Sequence, residues 1–363
     1  MNRIRLGMVG GGQGAFIGAV HRMAARLDDR FDLVAGALSS NAARAQASAD
    51  EIGLSRSYSD YRDMALAEAA REDGIQAVSI VTPNNMHLPM AKAFLEAGIH
   101  VICDKPMTAT LAEAEELVQI AAGSKALFVL THTYAGYHMV REARRLVAEG
   151  ALGKIRMVHV EYVQDWLSEP VTGKQADWRV DPAQSGGGAI GDIGSHAAHL
   201  ARYTSGLEIE AVAAQLSTFV EGRKVDDDAQ MLLRLSGGAK GMLWASQVAP
   251  GHENDIRVRV IGDKASVDWC QTRCNELRFA PLGEAPRILT TGGAGFQGQT
   301  RVPAGHPEGY LEAFAQIYSD AADAILAGSV PDHLPSLQDG LKGMRFIAAS
   351  VRSSADDARW TRL

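Results

Sequence analysis

Cysteine is scarce in this chain: Cys103, Cys270 and Cys274 are all that 363 residues contain. The last two are spaced C-x-x-x-C with no second pair, which argues against a zinc site or a disulfide framework and fits a reducing compartment. A surplus of positive charge is also missing. Lys and Arg number 36 against 43 Asp and Glu, for a formal net charge of −7. No global basic field therefore draws the chain to nucleic acid or to an anionic membrane. No run approaches the ~20 apolar residues of a membrane span. The opening MNRIRLGMVGGG passes straight into a strand-like apolar run with no signal-peptide core. These absences predict a cytoplasmic protein with small-molecule partners, no nucleic acid and no membrane. A hydrophobic fraction of 46% with 22% charged residues is that of a globular protein, and the length predicts two domains.

What is present divides the chain by texture. Apolar, β-branched runs at 4–9, 33–38, 77–81, 99–103 and 127–131 alternate with alanine-rich helical stretches at 18–27, 42–52, 86–97 and 111–121. That alternation predicts an α/β Rossmann-type domain with a parallel sheet over 1–131. Asn41 is placed to cap the second helix, and Thr108 or Thr110 the fourth. Beyond a helix at 139–149, closely spaced strand-like runs at 155–163, 211–220, 230–235, 241–247 and 256–261 are punctuated by turns such as Ser236-Gly237-Gly238 and Gly262-Asp263. They predict an α+β domain over 132–363 with a large, mostly antiparallel open sheet, followed by a helix at about 309–326. Asp226-Asp227-Asp228 reads as a solvated turn.

The first chemical signal is Gly10-Gly11-Gly12-Gln13-Gly14-Ala15, followed by Phe16. It is G-x-G-x-x-A directly after a predicted strand and before a predicted helix, the context of a dinucleotide-binding turn. Gly10 permits the tight turn, Gly12 lets the backbone approach the pyrophosphate, and the small Ala15 allows close helix–strand packing. The helix N-terminus then offers its N–H groups to phosphate. An NAD site usually carries an acidic residue at the end of the second strand. Here that place holds Ser39, Ser40 and Asn41, with Arg44 a helical step on. Hydroxyls and a guanidinium suit a 2′-phosphate, which tilts the choice from NAD toward NADP. The same residues also serve as a plain helix cap with a solvated arginine.

Three further clusters narrow the reading. Val81-Thr82-Pro83-Asn84-Asn85-Met86-His87 ends the third run, and Cys103-Asp104-Lys105-Pro106 ends the next. Gly186-Gly187-Gly188-Ala189-Ile190-Gly191-Asp192-Ile193-Gly194-Ser195-His196 lies in the second domain. In order, over nearly the whole chain, these resemble the glucose–fructose oxidoreductase / inositol dehydrogenase / rhizopine-catabolism family. The family's Glu-Lys-Pro stands here as Asp104-Lys105-Pro106, a carboxylate one methylene shorter that is expected to alter cofactor contacts.

The resemblance implies a sugar, cyclitol or glycoside oxidoreductase using NAD or NADP, and assigns roles. Lys105 lies beside the nicotinamide, hydrogen-bonding the substrate oxygen as charge develops. His196 is the acid–base, its pKa lying near working pH, and Asp192, four residues earlier on one helix face, orients it. Thr82, Pro83, Asn84 and His87 follow the nicotinamide ribose. Tyr134, Tyr137, Trp178-Arg179 and His306 are candidate substrate contacts, each with a packing or surface alternative. His199 extends the pattern to D-x-x-x-H-x-x-H. No further ligand accompanies it, so no metal is expected. The resemblance also implies a homodimer or homotetramer formed through the open sheet. An NAD-dependent glycosidase working by transient oxidation, a transhydrogenase with permanently bound cofactor and a cofactor-sensing regulator remain as other uses of the same fold.

Overall fold

The structure, a computed structural model, describes residues 3–170 and 187–363. It resolves into two compact units: residues 1–133 with 314–341, and residues 134–313 with 342–363.

The first unit alternates strand and helix: β1 (Ile4–Gly10), α1 (Phe16–Leu27), β2 (Phe31–Ala37), α2 (Ala42–Ile52), β3 (Arg56–Ser57), α3 (Tyr61–Ala69), β4 (Ala77–Val81), α4 (His87–Glu96), β5 (His100–Cys103), α5 (Leu111–Ala122) and β6 (Phe128–Leu130). All pairings are parallel, in the order β3-β2-β1-β4-β5-β6. Ala77 to Val81 is buried at every position, as expected of a strand covered on both faces. Asn41 does cap α2, its side chain accepting from Arg44 N–H at 3.0 Å. Of the two threonines offered for α5, Thr110 caps it in a reciprocal box with Glu113, while the Thr108 hydroxyl donates to the Thr110 carbonyl. The strand order runs outward in both directions from β1. The carboxyl ends of β1 and β4 therefore border the crevice where such sheets bind ligands. Residues 314–341 return to this unit: the Leu130 N–H donates to the Pro335 carbonyl at 3.1 Å, and Tyr318 is 1% exposed.

The second unit opens with α6 (His138–Ala148) and β7 (Ile155–Val163). A π-helical turn at Ile190–Gly194 then runs directly into α7 (Ser195–Ser205). The strands β8 (Ile209–Ser217), β9 (Asp228–Leu235), β10 (Lys240–Ser246), β11 (Asp255–Gly262), β12 (Ala265–Cys270), β13 (Glu276–Pro281) and β14 (Arg287–Thr290) follow. Two helices, α8 (Tyr310–Ala327) and α9 (Leu337–Ala355), and a last short strand, β15 (Thr361–Arg362), end the chain. Among the described residues the sheet has nine strands in the order β14-β13-β12-β11-β7-β10-β9-β8-β15. Every pairing is antiparallel except β7 with β10. Strict alternation along β9 and β11 buries Met231, Leu233, Ile256, Val258 and Val260 on one face. The opposite face leaves Leu232 at 51% and Met242 at 52% exposed. Both expected architectures, a parallel Rossmann-type sheet and a large, mostly antiparallel sheet, are what the chain forms. Among the described residues no helix is long and apolar enough to cross a membrane.

Candidate active site

In the first unit the glycine turn leaves β1 with positive φ at Gly10, Gly11 and Gly14, a conformation that strains any residue with a Cβ. A Cβ on Gly12 would stand 2.6 Å from the Leu38 carbonyl oxygen and 3.0 Å from Ser48 Oγ. A side chain on Gly18 would run into the Gly11 backbone, so the start of α1 packs closely on the turn there. Gly18, outside the motif, makes a close approach that a side chain would block. Ala15 is the N-cap of α1, with no side-chain cap, and its N–H is held by the Gly12 carbonyl at 3.0 Å. Gln13 and Gly14 are exposed, as is Phe16 at 61%. The open space around Gly14 and a helix N-terminus without a capping side chain fit a pyrophosphate. The residues present therefore suit a dinucleotide. Behind the turn, Arg22 donates to the Gly11 carbonyl at 2.7 Å.

At the end of β2, the Ser39 hydroxyl accepts the Asn41 N–H at 3.2 Å and the Asn41 side chain is engaged in its cap. Ser40 and Arg44 are exposed. At the end of β4, Pro83 is exposed and Asn84 buried. A Cβ on Gly10 would meet the Thr82 methyl group and the Val81 carbonyl, so the two strand ends abut. His87 is fully buried. Its Nδ1 lies 2.8 Å from the Pro106 carbonyl and its Nε2 3.0 Å from the Thr82 carbonyl. The imidazole is occupied in tying the β4 loop to the β5 loop. Burial lowers its pKa, and Asp104 and the carbonyls oppose that in part.

The Lys105–Pro106 bond is cis, and Lys105 is half-buried. The Asp104 carboxylate is engaged inside the fold. It accepts the Lys105 N–H at 2.9 Å and the Thr131 hydroxyl at 3.0 Å. His21 Nε2 stands 3.9 Å away, close enough for charge but too far for a hydrogen bond. Burial pushes the Asp104 pKa up, yet His21, Lys105 and His87 outweigh it and hold the carboxyl well below the usual range. His21 is in turn bonded to Tyr318 at 2.9 Å, which also bonds Ser79.

In the second unit Asp192 lies in the π-helical turn and His196 in the first turn of α7. Such π turns recur at functional sites. His196 is 8% exposed. Tyr134 meets it edge-on at 5.1 Å and Tyr162 lies tilted to it at 6.1 Å, centroid to centroid. The Tyr134 hydroxyl donates to that of Tyr162 at 2.7 Å, and Tyr162 to Asn254 Oδ1 at 2.9 Å. Asn254 also accepts from Gln164 and donates to Gln271 at 2.7 Å. Tyr137 stacks parallel on Tyr134 at 5.8 Å. Burial drives the Tyr134 phenol up to about 12 and raises Tyr162 and Tyr137 as well. The Asp192 carboxylate accepts from Gln247 Nε2 at 3.0 Å. His199 is buried against Tyr203, and burial takes its imidazole well below its usual pKa. Tyr134 thus backs the imidazole, with its hydroxyl used inside the unit. His306 is exposed, its ring beside the Pro303 carbonyl; the buried anchor of its loop is Glu308, which pairs with His138 and Arg301 at 3.0 Å. Trp178 and Arg179 lie outside the described residues.

Asp226-Asp227-Asp228 is not a solvated turn. Asp227 and Asp228 are buried, at 0% and 4% exposure, and the Asp226 carboxylate accepts backbone N–H groups from Gly188 at 3.0 Å and Ile190 at 2.7 Å. Tyr162, Gln164, Asn254, Gln271 and Gln247 carried no motif. They lie near strand ends far apart in sequence, and only the sheet assembles them.

Residues 4–134 match the model of an oxidoreductase family with an NAD-binding Rossmann fold, and residues 140–268 match the GFO/IDH/MocA C-terminal domain. A solved oxidoreductase from Sinorhizobium meliloti is 52% identical, with a TM-score of 0.92 and 99% of each chain covered. An inositol dehydrogenase homolog from Azotobacter vinelandii, complexed with NADH and myo-inositol, is 36% identical with a TM-score of 0.92, covering 100% of this chain and 98% of the other. Levoglucosan dehydrogenase of Pseudarthrobacter phenanthrenivorans is 28% identical over 99% of this chain and 98% of its own. With both domains matched in order, the chain belongs to the GFO/IDH/MocA family of NAD-binding oxidoreductases.

Proposed function

We propose that the protein moves hydride between a nicotinamide cofactor and a secondary alcohol or ketone of a sugar, cyclitol or glycoside. The observation that carries this reading is His196: a nearly buried imidazole backed by Tyr134 and Tyr162, four residues after a carboxylate that Gln247 holds. The substrate class follows from relatives that bind myo-inositol or are named for levoglucosan. In oxidation His196 takes the hydroxyl proton as the carbonyl forms, and Asp192 stabilises the imidazolium. The Lys105 ammonium, as the family resemblance implies, favours negative character on the substrate oxygen. Bound nicotinamide supplies the hydride acceptor or donor. Thr82, Pro83 and Asn84 border the cofactor, with His87 and Asp104 fixing those loops from inside.

Positioned acid–base catalysis is worth about 10²–10⁴-fold. His196→Ala is expected to lose turnover by about that factor in a spectrophotometric assay with myo-inositol, levoglucosan or D-xylose, while still binding cofactor by fluorescence titration. Turnover at the wild-type level would remove His196 from the mechanism.

The carboxylate-free end of β2 favours NADP over NAD, through Ser39, Ser40 and the exposed Arg44. A larger kcat/KM with NAD would refute that preference. The sheet face bearing Leu232 and Met242 is proposed to be covered by a second copy of the chain, in a homodimer or homotetramer, which a monomeric mass in light scattering would contradict. Trp360, 38% exposed beneath Arg234, belongs to the same face.

A further inference from the structure

Gln247 directly follows β10 and is 3% exposed. It belongs to no motif, yet its side chain donates to Asp192 Oδ2 at 3.0 Å. Its own backbone N–H is held by the Asp227 carbonyl at 2.9 Å. Asp227 is fixed in turn, its carboxylate accepting from the backbone of Phe219 and Val220 at 2.9 to 3.0 Å and facing Arg223 at 3.3 Å. The preceding residue holds the other side of the same contact. Asp226 accepts Gly188 and Ile190 N–H groups with its carboxylate, and the Ala189 N–H with its carbonyl at 2.9 Å. Gly188 has no room for a Cβ against that carbonyl, and its own carbonyl accepts the Asp192 N–H at 2.9 Å. One dipeptide, Asp226-Asp227, therefore sets both the helix that carries Asp192 and the amide that holds its carboxylate.

We propose that Gln247 is a positioning residue for proton transfer: its amide fixes the Asp192 carboxylate on the helix that bears His196, with Asp226 and Asp227 holding donor and acceptor in register. This rests on the reading of Asp192 and His196 as the proton-transfer pair. A charge-assisted hydrogen bond in a nearly buried site is strong and directional, so losing it removes a directional hold on the Asp192 carboxylate. The titratable and charged groups around this contact are His196 on α7, Tyr134, Tyr162 of β7, and Asp226, Asp227 and Arg223 on the segment that holds Gln247. Both phenols are raised by burial and stay protonated through the assay range.

Two variants test the proposal. Gln247→Leu removes the donor at every pH, and kcat is expected to fall about tenfold to a hundredfold, with NADH and NADPH binding unchanged by fluorescence titration. Gln247→Glu restores a donor only while its carboxyl is protonated. Two carboxyls about 3 Å apart cannot both ionise easily, which raises one pKa toward neutrality. The ratio of its kcat to wild type is therefore expected to fall about fivefold or more from pH 6 to pH 9, while the Gln247→Leu ratio stays flat. The His196 imidazole, followed by NMR and assigned with His196→Ala, is expected to titrate higher in Gln247→Glu, because ionisation adds negative charge nearby. A lost packing contact alone would lower kcat in Gln247→Leu without making the Gln247→Glu ratio depend on pH. Should Gln247→Leu fail to fold, the two Gln247→Glu readouts carry the test. Wild-type kcat in Gln247→Leu, or a pH-independent ratio with an unmoved imidazole in Gln247→Glu, overturns the proposal while His196→Ala remains inactive. Full turnover in His196→Ala instead sinks the underlying reading.

Discussion

His87 is the position where stability and turnover should fall together. Its ring is fully buried and bridges the Thr82 and Pro106 carbonyls at 3.0 and 2.8 Å. Burial favours the neutral ring, which carries one N–H, so one contact is a full hydrogen bond. In His87→Leu the volume is nearly kept, but two buried carbonyls face a side chain with no donor. A buried group left without its partner costs about 1–3 kcal/mol. The first unit holds residues 1–133 and 314–341, a size at which 1 kcal/mol moves the melting point by about 2–4 °C. The expected drop is therefore about 2–12 °C by calorimetry.

The loops that His87 joins also hold Thr82 and Lys105, and a displacement of about 1 Å at reacting groups costs on the order of 100-fold. Saturating initial rates should then show kcat down about tenfold to a hundredfold. His87→Gln keeps an amide donor and should recover part of both losses. If His87 touched cofactor instead, the variant would raise the cofactor KM and leave the melting point where it was. A melting point within about 1 °C of wild type, together with an unchanged kcat, would refute the clamp.

Other consequences follow from burial and from bare backbone. A tyrosine whose folded pKa is raised contributes stability that is full below its unfolded pKa of about 10 and is lost as pH climbs through the folded value. With Tyr134 at about 12, the loss from this residue reaches about 2–3 kcal/mol, and Tyr162, Tyr137 and Tyr318 add to it in the same direction. Urea midpoints should fall steeply between about pH 10 and 12, with tyrosinate absorbance at 295 nm appearing late; ionisation of all eight tyrosines near pH 10 would contradict the burial. Gly188→Ala places a methyl group against the Asp226 backbone and should cost about 1–3 kcal/mol or more, measured by denaturant unfolding. Leu232→Asp with Met242→Asp charges the exposed sheet face and should yield a monomer by light scattering, with the alternating inner face left intact.

Much of the first unit was legible because its strands are buried on both faces and read as unbroken apolar runs; the expected run at 77–81 and β4 coincide. Helices announced by a cap were legible too, as with Asn41 and Thr110. Less legible were elements whose definition is tertiary. The strand Arg287–Thr290 is mostly exposed and shows no alternation to read. The return of residues 314–341 depends on Tyr318 reaching His21 and Ser79, partners almost 300 and 240 positions away. The glycine turn could be read because it needs backbone conformations that few residues adopt. Gly18 fell outside the motif, since what it avoids is a single close approach to Gly11.

The aspartate run shows why composition misleads where charge is concerned. Three acidic residues together ordinarily mean solvent, because a buried carboxylate without donors is costly. Here each has a separate set of donors: backbone N–H groups of Gly188 and Ile190 for Asp226, those of Phe219 and Val220 for Asp227, and the Trp244 indole for Asp228 at 2.8 Å. Only Asp228 lies within β9, and because the three donor sets are separate, the three charges do not share an environment. The information that would have marked them as buried is the glycine at 188, which leaves space for a carbonyl where any other residue would project a side chain. A run of like charge is solvated only when nothing nearby offers N–H groups. A helix beginning on glycines with no cap of its own is such an offer. In this chain the site reading turned on recognising Asp192 and His196, and their placement turned on residues whose sequence context pointed toward water.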